Sequence, residues 1–345
     1  MTRLDTLRAR LDQRLLVTNL VNVSYLTGFE ASNAALLVDP DGPTQLFTDF
    51  RYIEAAEAVP GVEATLTKRA LVHDLSDRLS GPIAFEADVL PFTFADALTK
   101  GGVDMTPTTG IVEGLRAIKD AVEIEKIRRA AHAAGRAFEA LTAEPWIGHS
   151  ERELAWRLRV LLHAHGVDHT SFEIAVASGT NGSKPHGEPT DSLIEESMLV
   201  TVDWGAFLDG YCSDCTRTLA AGPVSGQLRE IYDVCLEAQL AAVEGIRPGM
   251  TGVEADALAR DVIVAAGYGD QFGHGLGHGV GMMIHEAPRL STESTDTIEV
   301  GQIVTVEPGI YVPGVGGVRI EDLAIVRPNG LEILTGFPKD LLQAT

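Results

Sequence analysis

The second part of the chain contains an internal repeat, and this repeat limits the folds that the chain can adopt. Residues 148–153 (GHSERE) begin an amphipathic helical pattern that ends at Gly166. Residues 249–254 (GMTGVE) begin a similar pattern that ends at Gly267, and each feature lies 101 residues after its counterpart. In both copies a hydroxyl residue stands three positions before a glutamate, which is the pattern of a helix capping box. The repeat therefore predicts two related halves that each start with a capped helix.

The repeat continues into two segments that carry acidic residues. Residues 200–205 (VTVDWG) match residues 304–309 (VTVEPG) at an offset of 104, and a second acid follows the first after 11 or 14 positions. The four acids are Asp203, Asp214, Glu307 and Glu321. A turn signal separates the members of each pair, and a strand points alternate side chains to opposite faces. Each half is therefore predicted to form a β-hairpin that presents two acids, and the repeat predicts that the hairpins face each other.

Four carboxylates at one apolar site require compensation, because burying an unpaired charge costs several kcal/mol. A pair of divalent metal ions provides this compensation, at the ~3.5–4 Å separation that is typical of two-metal hydrolases. The alternative is that the acids are solvated or form salt bridges at the ends of the hairpins. The occurrence of all four at repeat-related positions favours the metal site.

Four histidines are associated with these acids. Residues 273–281 (GHGLGHGVG) have glycine at every second position, which lets another backbone approach closely beside His274 and His278. His285 follows seven residues after the second of these, and His186 lies in a loop that is rich in glycine and proline. A lone histidine is usually structural, but these four accompany the acids in a chain with a repeated hairpin.

Two cysteines flank one of the acids. Cys212 and Cys215 have the C-x-x-C spacing of redox and zinc sites, with Asp214 between them. The thioredoxin-like context and a second cysteine pair are both missing from the sequence. We therefore expect the two side chains to pack around the acid.

The sequence before the repeat is typical of a separate α/β domain. A short amphipathic helix within residues 1–16 precedes apolar segments that are separated by turn signals. Glycine and proline then accumulate before a long charged helix that is predicted from Glu113 to about Leu141. We therefore predict an α+β chain with a smaller α/β domain at 1–115 and a larger domain, which contains the internal repeat, at 116–345.

The net charge of the chain excludes several classes of partner. It has 49 acidic and 27 basic residues, which give a formal charge of −22. Nucleic acids and anionic lipids select basic surfaces, so we expect neither as a partner. No apolar segment approaches the ~20 residues of a membrane span, and the first residues lack the apolar stretch of a signal peptide. The expected location is therefore the cytoplasm.

These motifs resemble those of the pita-bread metallopeptidases, the family of Xaa-Pro dipeptidases (prolidases) and aminopeptidase P. The matching segments are 202–205 (VDWG), 213–218 (SDCTRT), 274–278 (HGLGH), 285–286 (HE), 306–311 (VEPGIY) and 317–322 (GVRIED). Matches outside the repeat are 25–29 (YLTGF), 48–52 (TDFRY) and the linker 115–119 (LRAIK). The resemblance implies a pita-bread catalytic domain at 116–345, preceded by a creatinase/prolidase-like domain at 1–115.

The resemblance also implies a role for each matched residue. Two divalent metal ions would be bound by Asp203, Asp214, His278, Glu307 and Glu321, and Glu307 would double as a proton shuttle. The other implied contacts are His186 and His285 to the scissile carbonyl, His274 to the proline pocket, Arg289 to a substrate carboxylate and Arg319 to the metal ligands. An oxygen-rich ligand set with one histidine favours Mn²⁺, with Co²⁺ and Zn²⁺ as alternatives.

The activity that the resemblance implies is hydrolysis of the peptide bond between a first residue and a following proline. A dipeptidase needs a cation for the free carboxylate of proline, whereas aminopeptidase P leaves that side open for longer peptides. Arg289 favours the dipeptidase, although a surface salt bridge is an equal alternative for this residue. A non-catalytic binding module on the same scaffold would be expected to lack ligands or helper residues, and none is missing here. The family usually forms homodimers, so the resemblance implies a homodimer as well.

Overall fold

The computed structural model describes residues 2–224 and 226–344 of the chain. Its backbone divides into two compact units, one ending at Arg116 and the other beginning at Ala117. Among the residues described, no helix combines the length and the apolar character needed to pass through a lipid bilayer.

The first unit is an α/β structure built around one mixed sheet. Its elements are α1 (Arg3–Arg8), β1 (Arg14–Val17), α2 (Leu20–Thr27), β2 (Ala34–Val38), β3 (Gln45–Thr48), α3 (Ile53–Glu57), β4 (Glu63–Leu66), α4 (Leu71–Arg78), β5 (Gly81–Glu86), α5 (Phe92–Lys100), β6 (Val103–Thr108) and α6 (Glu113–Arg116). The strand order is β4-β3-β2-β1-β5-β6, with β1 antiparallel to β2 and parallel to β5. Leu16, Phe47 and Ile83 of the sheet form a core with Leu75 of α4 and Leu98 of α5.

The second unit contains two pairs of long helices and most of the strands. Its elements are α7 (Ala121–Thr142), α8 (Glu151–Ala164), β7 (His169–Thr170), β8 (Ala175–Ser178), β9 (Met198–Trp204), β10 (Ala206–Leu208), β11 (Tyr211–Cys212), β12 (Cys215–Ala221), α9 (Gln227–Gly245), α10 (Gly252–Ala265), β13 (Gly277–Gly279), β14 (Glu286–Leu290), β15 (Ile303–Val306), β16 (Gly309–Val312), β17 (Gly316–Arg319), β18 (Asp322–Arg327), β19 (Gly330–Ile333) and β20 (Gln343–Ala344). Its two larger sheets have the orders β20-β12-β9-β8 and β14-β13-β15-β18-β19.

The repeated helices of the second unit begin and end as the sequence predicts. Ser150 caps α8 and Thr251 caps α10, and each forms a complete capping box with the glutamate three positions later. Gly166 and Gly267, which follow the two helices, both have a positive φ. A left-handed residue ends a helix without strain when it is glycine, so the same residue types set both ends of both helices.

Each half continues into a long hairpin that carries a smaller hairpin at its tip. In the first half β9 pairs with β12 and β10 pairs with β11, around a turn in which Asp209 and Gly210 have positive φ. In the second half β15 pairs with β18 and β16 pairs with β17, around a turn at 313–315. Both predicted hairpins are present, and β17 begins directly after the second turn with Gly316 and Gly317.

Side chains alternate between the two faces of β9 and of β15. One face of each strand packs in the core, and the other points away from it. The fully buried valines of these strands are Val200, Val202, Val304 and Val306. The first two belong to the core of the first half and the last two to the core of the second half. The intervening Thr201 and Asp203 therefore share the other face of β9, and Thr305 has the same orientation on β15.

One predicted helix is wrong in its extent. Instead of one helix from Glu113 to about Leu141, the chain forms α6 and α7 with a break between them. The backbone of Asp120 is extended, and its side chain accepts hydrogen bonds from the N–H groups of Val122 and Glu123. This capping box starts a new helix at α7, and the helical pattern on both sides obscures it in the sequence.

The backbone of Thr305 approaches β13 closely at Gly277, and substitution of this glycine tests the approach. A Cβ atom at this position would lie 2.2 Å from the carbonyl oxygen of Thr305, whereas a Cβ at Gly273 would have no neighbour within 4 Å. We expect Gly277→Ala to lower the free energy of unfolding by about 1–3 kcal/mol, because the backbone must shift. In urea unfolding, the matched variant Gly273→Ala should change this energy by less than about 0.5 kcal/mol. Equal stability of the two variants would contradict the close approach.

Candidate metal centre

Acidic side chains from both hairpins of the second unit meet at one place. Asp203 lies near the end of β9, Asp214 directly precedes β12, and Glu321 lies between β17 and β18. Each of the three offers a carboxylate oxygen, and these oxygens lie within 4.8 Å of one another. His278 connects Glu307, which directly follows β15, to this group: its Nε2 is 3.3 Å from Glu307 Oε1 and 3.6 Å from Asp214 Oδ2. The five residues that the resemblance assigns to the metals are thus neighbours.

Two oxygens of this cluster, Asp203 Oδ1 and Glu321 Oε1, are buried without a hydrogen-bond partner among the described residues. The other oxygen of each acid is held by the protein, since Arg319 Nη2 donates to Asp203 Oδ2 and Thr216 Oγ1 donates to Glu321 Oε2, both at 2.7 Å. A buried acceptor without a partner costs about 1–3 kcal/mol. Bound cations would offset this cost, so the donor set fits a metal centre.

The carboxylates repel one another because they are buried together. Burial raises the pKa of Asp214 well above its usual value, and the charges of Glu321, Asp203 and Glu307 raise it further. Burial also raises the pKa of Glu321, and the charges of Glu307 and Asp203 act in the same direction. Burial raises the pKa of Glu307 to about 7. Carboxyl groups with such shifts, gathered in one buried site, are typical of functional centres.

His278 presents a ring nitrogen to the acids. Its Nδ1 lies 3.0 Å from the carbonyl oxygen of the next residue, which can only accept, so the proton is on Nδ1 and Nε2 carries a lone pair. Burial lowers the pKa of His278, which favours the neutral form that binds metals. Thr305 Oγ1 accepts a hydrogen bond from the backbone N–H of His278 and donates to Glu307 Oε1, both at 3.0 Å. One hydroxyl therefore positions both residues.

Arg319 connects the acids to a second histidine. Its buried guanidinium donates to Asp203 and also to Thr216 Oγ1 at 3.0 Å and to the hydroxyl of Tyr311 at 2.8 Å. The Tyr311 hydroxyl lies 3.0 Å from His274 Nε2, and His274 Nδ1 lies 2.8 Å from the carbonyl oxygen of the next residue. The carbonyl fixes the proton on Nδ1, so Nε2 accepts from Tyr311. Burial lowers the pKa of His274 to about 4, so this ring is neutral at pH 7.

The remaining candidate residues lie at the exposed border of this cluster. His285 packs its ring edge-on against that of His278, with the centroids 4.4 Å apart. Arg289 is the partner of His278 in the pairing of β13 with β14. Its backbone N–H donates a hydrogen bond to the side chain of Asp296. His186 lies in the loop after β8, where Arg319 Nη1 donates to the carbonyl oxygen of the preceding residue at 3.0 Å.

Two residues of this site, Thr216 and Tyr311, have no role in the sequence-based prediction. Both contact Arg319, and the backbone carbonyl of Thr216 also accepts from the N–H of Glu321 at 3.1 Å. Thr216 therefore joins the two hairpins. Both residues stand within the matched motifs. The function of Thr216 depends on contacts across the repeat, and that of Tyr311 depends on contacts within the folded second half, which the spacing of motifs does not reveal. The signal that points to these two residues is Arg319, because a buried guanidinium needs several acceptors.

The two cysteines beside Asp214 are buried, and Cys215 packs against the backbone of Glu321. The Sγ atom of Cys215 lies 3.6 Å from the backbone carbonyl oxygen of Glu321. Burial raises the pKa of the Cys215 thiol well above its usual value, which disfavours the thiolate that redox chemistry requires.

Comparison with known protein families accounts for both units. Residues 125–328 match the model of metallopeptidase family M24, and residues 3–118 match the creatinase/prolidase N-terminal domain. The chain belongs to the M24 metallopeptidases. The resemblance that the motifs carry is thereby confirmed.

Solved and curated M24 relatives are similar over almost the whole chain. The Xaa-Pro dipeptidase of Pyrococcus furiosus is 36% identical over 331 residues, which cover 95% of each chain. A structure of the Xaa-Pro dipeptidase from Bacillus anthracis has a TM-score of 0.95 at 40% identity and covers 99% of each chain. The X-Pro aminopeptidase from Thermotoga maritima has a TM-score of 0.86 at 30% identity, with 96% of this chain and 97% of that one covered. These matches confirm the predicted fold class, a pita-bread domain that follows a smaller α/β domain.

The repulsion between the acids predicts an unusual stability for one variant of this M24 chain. Asp214→Asn replaces a carboxyl group whose ionisation is disfavoured by burial and by the neighbouring acids. In chelating buffer we therefore expect it to melt about 2–6 °C above the natural chain, as 1 kcal/mol corresponds to roughly 2–4 °C. Added Mn²⁺ should stabilise the natural chain more than the variant, and calorimetry measures both effects. The control is Asp261→Asn, on the exposed side of α10, which should change neither value. A lower melting temperature for Asp214→Asn in chelator would show that repulsion does not dominate.

Proposed function

We propose that this chain is a dinuclear metallopeptidase that hydrolyses the bond between an N-terminal residue and a following proline. The observation that carries the proposal is the convergence of Asp203, Asp214 and Glu321, in which two buried oxygens lack a partner among the described residues. Relatives named Xaa-Pro dipeptidase and X-Pro aminopeptidase support the bond specificity. The homodimer and the cytoplasmic location stay predictions from the sequence.

The ligand set suits two divalent ions. Asp203, Asp214, His278, Glu307 and Glu321 would hold these ions. Two divalent ions held there would act as Lewis acids toward water and the scissile carbonyl. Carboxylate oxygens with one imidazole and no thiolate favour Mn²⁺, with Co²⁺ and Zn²⁺ as alternatives.

The side chains around the ligands would supply the proton transfer and the orientation of the substrate. The leaving proline nitrogen needs a proton, and Glu307, fixed by its hydrogen bond from Thr305, would relay it. His186 and His285 would donate hydrogen bonds to the carbonyl oxygen as it gains negative charge. His274, whose ring is held by Tyr311, would line the pocket for the proline ring. Proline has no amide N–H, so such a pocket avoids the backbone contacts on which other peptidases rely.

Arg289 favours dipeptides over longer substrates. It lies on β14 directly opposite His278, and it is exposed beside the cluster. A guanidinium at this position would bind the free carboxylate of a C-terminal proline through charge-assisted hydrogen bonds. Hydrolysis of longer Xaa-Pro peptides is the second candidate function, and a structural relative from Thermotoga maritima is named an X-Pro aminopeptidase.

A cleavage panel tests the proposed function. After chelation, the chain should be inactive, and added Mn²⁺, Co²⁺ or Zn²⁺ should restore cleavage of an Xaa-Pro dipeptide, with Mn²⁺ the most effective. An Xaa-Ala dipeptide should be cleaved at least about 10-fold more slowly, and Asp214→Asn should lower kcat/KM by roughly 10²-fold or more. Full activity of Asp214→Asn or of the chelated chain would exclude the dinuclear mechanism. A chain that binds Xaa-Pro peptides but contains no metal and cleaves none would instead be a binding module.

The choice between dipeptides and longer peptides is tested by Arg289→Gln. Loss of a charged hydrogen bond costs about 1.5–3 kcal/mol, so KM for an Xaa-Pro dipeptide should rise roughly 10- to 100-fold with little change in kcat. KM for an Xaa-Pro-Xaa tripeptide should change less than about 3-fold. The control is Arg229→Gln, which removes an exposed arginine that pairs with Asp233 on α9. Equal effects on the dipeptide and the tripeptide would show that Arg289 does not select the free carboxylate of proline.

A further inference from the structure

A fully buried carboxylate outside the metal cluster organises one of the loops at its border. Glu151 is the first residue of α8 and is completely inaccessible to solvent. Its Oε1 accepts from the backbone N–H and the Oγ of Ser178, at 2.6 and 2.9 Å. Its Oε2 accepts from Asn181 Nδ2 at 2.8 Å and from the backbone N–H and Oγ1 of Thr190, at 2.9 and 2.7 Å. One side chain therefore receives five hydrogen bonds.

These five bonds close the loop that carries His186. Ser178 is the last residue of β8 and Thr190 lies at the other end of the loop, so Glu151 joins the two ends. Asn181 extends the connection inward, because its Nδ2 also donates to the backbone carbonyl of residue 188 at 3.0 Å. The imidazole of His186 is exposed, so the position of this ring depends on the loop backbone.

The repeat shows that Glu151 is specific to this half of the unit. The position 101 residues later is Gly252, where a Cβ atom would lie 2.2 Å from the carbonyl oxygen of Arg289. No side chain fits there, although α10 begins with the same capping box as α8. The acid is therefore not a requirement of the helix start that both halves share. It occurs in the half whose loop carries His186.

We infer that Glu151 is a positioning residue for His186, which it places over the reacting bond by fixing both ends of the loop. The inference rests on the proposed function, because His186 has a role in that reaction only. A carboxylate suits this position because all five partners are donors. With Gln at the position, either orientation of the amide would set an NH₂ group against a backbone N–H, that of Ser178 or that of Thr190. The two ends of the loop would then separate.

Glu151→Gln tests the inference against a matched variant on the same helix. Glu153→Gln changes the same residue type in an exposed capping position of α8. With an Xaa-Pro dipeptide and saturating Mn²⁺, we expect Glu151→Gln to lower kcat/KM by about 10- to 100-fold, while the bound metal per chain stays unchanged. Hydrogen exchange of the amides in residues 178–190 should accelerate at least 10-fold. Glu153→Gln should stay within twofold of the natural chain in kcat/KM and in the exchange of this loop.

A double-mutant cycle separates positioning from a general loss of structure. If Glu151 acts through His186, then Glu151→Gln added to His186→Ala should lower kcat/KM by less than twofold beyond His186→Ala alone. Losses that multiply would overturn the inference, as would a Glu151→Gln variant with natural kcat/KM. Should Glu151→Gln fail to fold, Ser178→Ala and Thr190→Val each remove one hydroxyl donor. Each of these should then lower kcat/KM at least threefold in the natural background and less than 1.5-fold in His186→Ala, and any other result would overturn the inference.

The same measurements separate this inference from the proposed function. If the natural chain cleaves Xaa-Pro peptides and Glu151→Gln cleaves them equally well, the inference fails and the proposed function stands. If the natural chain with Mn²⁺, Co²⁺ or Zn²⁺ cleaves none of the peptides, the proposed function fails and the inference fails with it.

Discussion

The second unit depends on holding several buried carboxylates of like charge close together. The contacts that achieve this run between the hairpins of the two halves. Arg319 of the second hairpin binds Asp203 of the first, and Thr216 of the first binds Glu321 of the second through both side chain and backbone. Each of the two side-chain bonds occupies one carboxylate oxygen of an acid and fixes its direction. The repulsion is thus resisted by neutral and cationic donors, and the remaining oxygens are available to cations.

The internal repeat provides the scaffold, and the differences between its halves provide the chemistry. Each half contributes a capped helix and a hairpin with two acids, but the surrounding residues differ. Arg319 stands two residues before the second acid of its hairpin, where the first hairpin has Cys212. His278 likewise belongs to the second half, on a glycine-rich strand that Thr305 approaches closely. A symmetric frame thereby forms a site whose two sides are chemically different.

The sequence predicts the features that depend on residues a few positions apart. It misses the features that depend on contacts between residues far apart in the chain. Capping boxes, glycines after helices and the alternation in Val-Thr-Val segments act within a few residues, so both repeated helices and both hairpins were predictable. The break before α7 also has a local cause, Asp120, yet the helical pattern on both sides outweighed it. The functions of Thr216, Tyr311 and Glu151 follow from partners that are more than seven residues away in the chain. Such contacts exist only once the two halves have folded.

The acids and the histidines of the site are held in different ways. The acids lie on or beside paired strands, which fix positions firmly, as a metal centre requires. His186, His274 and His285 lie in loops or at strand ends. A buried carboxylate helps to hold the chain segment of each histidine. These carboxylates are Glu151 for the first, Asp256 through Arg260 for the second and Glu286 in its pair with Lys119 for the third. A change in one such anchor would move one histidine without disturbing the acids. Loops diverge separately from the strands that they connect, so the acids and the histidines of such a site can change independently of each other.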